Sequence, residues 1–216
     1  MEQQQITFGY VPSVLDGSEI IYSGDTSLDI PEEYSYVEYL PKVYDQGQLP
    51  ICVTCSCGAY INWNINVDSD QDNKTDNGIK LLEIYKARTN QGDGMTFKEA
   101  LKFLRNVGVN TNKGLQKIER YAFIPKNKDF INTLKLALID NGPCVGAFIV
   151  RDPNCGREFW KGESMLGGHA ISIVGYNKTG FIVRNSWSEF WGDNGYTILP
   201  YDEVYPYLLE CWTIIA

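Results

Sequence analysis

Histidine is nearly missing from this chain of 216 residues, which has one, His169. The six cysteines are too few for a dense disulfide scaffold, and "CVTCSC" has no second cysteine pair at zinc-finger spacing. A zinc site is therefore hard to build, and free thiols in a reducing compartment are expected. Basic residues are also in short supply. The formal charge is -8 and the isoelectric point near 4.7, with no dense Lys/Arg stripe, which removes nucleic-acid phosphate as a partner. No run approaches the roughly 20 apolar residues of a membrane span. The opening "MEQQQITFGYVPSVLDGSEI" lacks a basic stretch followed by an apolar one, so no secretory signal is read. The expected setting is cytoplasmic, in a bacterium or a virus-infected host, with association to a virion left open.

What is present is enough for a core. Apolar residues make up 44% and charged residues 21%, with five tryptophans, which suits one large domain or two lobes. Residues 1–43 contain Pro12, Pro31 and Pro41 and read as an extended arm. The domain proper runs over 44–216. Pro50 precedes a proline-free run from Ile51, the start of a helix with Cys52 in its first turn. Thr96 and Glu99 form a capping box for a second helix with Phe97, Ala100, Leu101 and Leu104 as its apolar stripe, stopped by Gly108. "DFINTLKLALIDNG" is a third helix. Then the period changes: "PCVGAFIV", "HAISIVGY" and "GFIVRNSW" read as strands, the last two joined by the turn "NKTG". The first half is mainly helical, the second mainly β. Asp68, Asp70 and Asp72 alternate as in a calcium loop, but Asn73 and Ile79 stand where that loop needs Gly and Glu, so no metal is assigned.

Three cysteines crowd "YDQGQLPICVTCSCGAYINW". Cys52 is the one placed for chemistry, because unpaired amides at a helix N-terminus favour a thiolate. Cys55 and Cys57 lie deeper in the helix and read as packed thiols. A thiol nucleophile needs a base, and His169 is the sole imidazole. It needs a group to hold that ring, for which Asn185 lies at the end of the neighbouring strand. It needs oxyanion donors, and the Cys52 N–H and the Gln46 side-chain amide can supply them.

With these residues in hand, "DQGQLPIC", "GGHAISIVGYN" and "RNSWSEFWGDNGY" together resemble the papain-like cysteine peptidases, of the compact type found in bacteria and their viruses. The resemblance implies an α+β fold of two lobes, a helical one and an antiparallel β-rich one, with a cleft between them. It implies Cys52 as nucleophile, His169 as general base and acid, Asn185 as its orienting partner and Gln46 in the oxyanion hole. Gly94 matches a glycine that pairs with substrate backbone, Met95 a residue lining the pocket for the second side chain before the cut, and Trp187 a cover for the Asn–His bond beside the substrate. No cofactor is implied; the partner is a peptide or protein substrate, neutral or basic given the chain's acidity, and the chain is expected to act as a monomer.

Three departures stand out. Leu49 replaces an upstream half-cystine, and Pro50 stands where a glycine usually lines the first subsite. Ser188-Glu189-Phe190 replaces a smaller segment on the leaving-group side. Two other functions keep the fold: a papain-fold binding or structural protein with weak or no catalysis, such as a phage-particle component, and a thiol acyltransferase or amidase, which trapping with added amines would separate. The arm is either a short pro-segment lying in the cleft or a packed extension; "GYVP" and "LPKVYDQG" resemble segments of compact mature domains, which favours packing.

Overall fold

The structure, a computed structural model, describes residues 7–24, 26–27, 29–67, 74–89, 92–152 and 156–216. The helices are α1 (Cys52–Val67), α2 (Leu81–Lys86), α3 (Phe97–Asn106), α4 (Phe130–Asn141) and α5 (Tyr201–Tyr207). The strands are β1 (Tyr34–Ser35), β2 (Val109–Thr111), β3 (Gly114–Gln116), β4 (Arg120–Phe123), β5 (Cys144–Val150), β6 (Gly167–Tyr176), β7 (Gly180–Arg184), β8 (Tyr196–Pro200) and β9 (Leu208–Ile215). Strands pair antiparallel in the order β4-β9-β5-β6-β7-β8, with β1 added on β6, making a seven-stranded sheet; β2 and β3 form a separate ribbon. This is the α+β, two-lobed papain-like fold.

The sheet is apolar on both faces, which is why its central strands read as continuous runs rather than alternations. Val145, Ala147, Ala170 and Val174 belong to the core shared with α1 and α3, whereas Cys144, Phe148, Ile171 and Ile173 belong to the core under α4. Helix α1 is buried almost all round, from Cys52 to Trp63, as a helix with no polar face must be. Both halves of the capping box on α3 are made: Thr96 Oγ1 accepts from the Glu99 N–H at 3.1 Å, and Glu99 accepts from the Thr96 N–H at 2.9 Å. Gly142 ends α4 at φ +92, where a Cβ would fall 2.2 Å from the Trp63 ring.

Two boundaries differ from the sequence reading. Strand β7 stops at Arg184 because the chain leaves the sheet there: the Asn185 N–H turns to Gly195 O at 3.0 Å, and Trp187 bridges to Asp45. Helix α5, with Pro206 inside it, precedes the last strand and carries no sequence signal strong enough to expect it. The five described cysteines are free and buried; Cys155 and the aspartates 68, 70 and 72, with Asn73, lie outside the described residues, and Ile79 is buried core. No described helix is long and apolar enough to cross a membrane.

The arm is sewn onto the domain along its length. Its first described stretch pairs in parallel with Met95: Met95 N–H donates to Gly9 O at 2.9 Å and Val11 N–H to Met95 O at 3.0 Å. The turn after it is gripped by Lys98 of α3, which reaches Val14 O, Asp16 and Glu19. Ile20 and Tyr22 then bond Phe123 on β4, and β1 joins β6.

Candidate active site

Helix α1 delivers Cys52 at its first residue, and β6 delivers His169 near its start. The His169 Nε2 lies 2.7 Å from Asn185 Oδ1. That oxygen also accepts the Ser186 N–H at 2.7 Å, which fixes the amide orientation. Facing an acceptor, Nε2 carries the proton, so the lone pair sits on Nδ1, the nitrogen with no hydrogen-bond partner. Trp187 stacks on the imidazole at 4.5 Å, and Phe159 meets its edge at 5.9 Å, so the Asn–His bond is shielded from water.

Gln46 is bound on both ends of its amide. Ser186 Oγ donates to Oε1 at 2.7 Å, leaving Nε2 to donate to Thr7 O at 3.1 Å and Leu49 O at 2.9 Å. Ser186 thereby orients Gln46, a role no sequence signal assigned beyond its place after Asn185. The segments on the two sides of the cleft are laced by main chain as well: Gln46 N–H to Ser186 O at 2.9 Å and Ser188 N–H to Tyr44 O at 3.1 Å. Beneath them the buried Arg184 donates to Pro41 O, Tyr196 Oη and Lys42 O.

The arm lies in the cleft. The main-chain N–H groups of Ala170 and Gly9 face the Cys52 sulfur, and Cys52 is wholly covered. Gly9 is required there, since a Cβ would fall 2.1 Å from Pro50 O. Burial pushes the Cys52 thiol up to about 11, against the smaller opposing pull of those amides. Burial likewise pushes His169 down to about 4, with the Asn185 bond acting the other way. In this covered state both groups are neutral at pH 7. Gly94 adopts φ +115 beside Gly9 O, and Met95 is buried next to Tyr10. The structure thus gathers Cys52, His169, Asn185, Gln46, Gly94, Met95 and Trp187 around one cleft. Among the described residues no cluster of three or more His, Cys, Asp or Glu could hold a metal ion.

The fold and this cleft define a class, the papain-like proteins. The family described as papain family cysteine protease matches residues 56–205, beginning just past Cys52. The chain belongs to that family. It is 36% identical over 101 residues to an uncharacterized peptidase C1-like protein of Acanthamoeba polyphaga mimivirus, covering 39% of this chain and 32% of that protein. It is 26% identical over 215 residues to serine-repeat antigen protein 5 of Plasmodium falciparum, covering 87% of this chain and 19% of that one. The chain therefore spans about a third or less of these relatives' length. Among solved structures, xylellain, a cysteine protease from Xylella fastidiosa, superposes with a TM-score of 0.83 at 22% identity, covering 100% of this chain and 98% of that one.

Proposed function

We propose that this chain is a thiol peptidase held inactive by its own N-terminal arm. The observation that carries the reading is the Thr7 carbonyl, received by Gln46 Nε2 at 3.1 Å in the cleft that holds Cys52. A peptide carbonyl in that position is what an oxyanion donor is for. Once the arm leaves, the Cys52 thiol gives its proton to His169 Nδ1, and the thiolate attacks the substrate carbonyl carbon. The Gln46 amide and the Cys52 N–H hold the resulting oxyanion. His169 returns the proton to the leaving amine nitrogen, and a thioester remains. Water, deprotonated by the same imidazole, displaces Cys52 and releases the acid. Asn185 and Trp187 keep the ring aimed throughout.

The arm itself escapes this chemistry by its direction. It runs outward from the thiol, Thr7 to Val11, toward Gly94 and Met95. A substrate whose residues before the cut lie along Gly94 and Met95 runs inward. We read residues 1–43 accordingly as a packed extension whose first described stretch also blocks the site.

The test uses the full chain with Gly9→Ala, which sets a Cβ against Pro50 O and expels the arm. Brief limiting iodoacetamide at about pH 5.5 leaves ordinary thiols protonated and slow. We expect rapid labelling of Cys52 alone in Gly9→Ala, slow labelling in the parent, and loss of the rapid phase on adding His169→Ala. Cys52 labelling that ignores His169 would overturn the reading in favour of a papain-fold protein without catalysis. In the opened chain, Gln46→Ala should lower kcat for peptide cleavage by about a hundredfold to a thousandfold.

A further inference from the structure

Arg184, the last residue of β7, is 2% exposed, and its guanidinium is in ion-pair contact with no carboxylate among the described residues. Neutral oxygens and aromatic rings surround it instead. Nη1 donates to Pro41 O at 2.8 Å and to Tyr196 Oη at 2.6 Å, and Nη2 donates to Lys42 O at 2.8 Å. The rings of Tyr44 and Tyr196 lie 6.0 Å and 5.6 Å from its central carbon. A cation buried among dipoles adds little to stability, because its lost hydration offsets the bonds it makes. What the planar fork fixes is position. Its two nitrogens take the carbonyls of consecutive residues, a grip that an ammonium on a flexible stem does not reproduce. Those carbonyls open the segment that carries Gln46. From Lys42 the chain runs through Tyr44, whose carbonyl accepts the Ser188 N–H at 3.1 Å, to Gln46, whose N–H donates to Ser186 O at 2.9 Å. Two residues beyond Arg184, Ser186 Oγ donates to Gln46 Oε1 at 2.7 Å. Arg184 and Ser186 thus hold the two ends of one segment, and the Gln46 amide is aimed by both.

We propose that Arg184 is a positioning residue for the oxyanion donor: its fork sets the Gln46 amide against the reacting carbonyl and leaves the Cys52–His169 pair alone. This rests on the peptidase reading above. Without the fork, the start of the segment slides about the Asp45–Trp187 bridge and carries Gln46 Nε2 with it. An oxyanion donor contributes only when it is already aimed at the oxygen that gains charge. Asn185, although next in the chain, has anchors of its own, its N–H on Gly195 O and its Oδ1 on the Ser186 N–H, so the imidazole keeps its orientation.

The experiment uses the full Gly9→Ala chain and adds Arg184→Lys, which keeps the charge and loses the fork. Two rates separate the roles. Peptide cleavage passes through an oxyanion, whereas alkylation of Cys52 by iodoacetamide at about pH 5.5 does not and reports the thiolate alone. We expect kcat to fall about tenfold to a hundredfold, with KM and the iodoacetamide rate unchanged. In a Gln46→Ala background the same substitution should cost less than about twofold further. An equal loss in both backgrounds would overturn the proposal in favour of a general loosening. So would an iodoacetamide rate that falls in step with kcat, or a kcat that does not fall. If Arg184→Lys does not fold, Tyr196→Phe, which strips one acceptor from the same guanidinium, decides by the same comparison. Any of these results in a chain that cleaves peptide removes this proposal and spares the peptidase reading. An opened chain with Arg184 intact that cleaves no peptide and labels Cys52 regardless of His169 would remove both.

Discussion

His169 in the covered cleft is a base whose charged form is penalised by its surroundings. Its ordinary value of 6.5 falls to about 4, so an unfolded chain takes up a proton at pH values where the folded one does not. A depressed histidine therefore contributes stability that is full above pH 6.5 and drains away as the pH falls toward 4, a change on the order of 3 kcal/mol. Comparing the parent with His169→Gln isolates this group from every other titration. The parent's stability relative to the variant should shrink steadily between those two pH values in urea titrations, and a difference that stays flat would mean the imidazole is hydrated. Cys52 has the opposite sign, its raised value making the covered thiol stable up to alkaline pH.

Which residues could be read from sequence follows from how local their evidence is. Cys52 announces itself by Pro50 and a helix start, His169 by being the one imidazole ahead of an apolar strand, and Asn185 and Ser186 by the aromatic segment after them. The contact of Ser13 with Glu210 on β9 had no such frame: it joins residues 197 positions apart, and no periodicity links an arm to a final strand. Gly9 was equally silent, because its necessity lies in a close approach to Pro50 O that only the folded chain creates.

Helix α3 links packing to the arm. Its capping box and apolar stripe were plain in the sequence, since both repeat at fixed spacing within ten residues. The use made of its first turn was not: Lys98 Nζ reaches Val14 O at 3.0 Å, Asp16 at 3.3 Å and Glu19 at 2.6 Å. Thr96→Ala should destabilise the protein by about 1 kcal/mol, read as a lower urea midpoint with unchanged slope. Lys98→Met removes a solvent-screened network that contributes little to global stability. Hydrogen exchange should then quicken over residues 13–19 while the amides of β5 and β6 keep their protection. Uniform acceleration would show instead that Lys98 supports the whole fold.

At the scale of the molecule, the two sides of the cleft are laced to each other by main-chain and side-chain bonds. Segment 41–46 runs beside 184–188, held by the Gln46, Ser188 and Arg184 bonds, so the walls carrying Gln46 and Asn185 move as one. The element that can move without breaking this lacing is the part of the arm before Pro41. Release is then a unimolecular step. The half-time for gaining activity should be unchanged by a tenfold dilution of the protein, as followed with a fluorogenic peptide. A half-time that lengthens on dilution would mean that one copy clips the arm of another.

The attachments of the arm have a quantitative corollary for competition. A strap tethered to the site it covers acts as an inhibitor at an effective concentration on the order of millimolar. A free peptide present at about micromolar levels meets that cleft as a heavily outnumbered competitor, however well its side chains suit the cleft. On the reading proposed above, sensitivity to peptide is set by how often the strap lets go, and each attachment point acts as a dial on the dose at which cleavage begins.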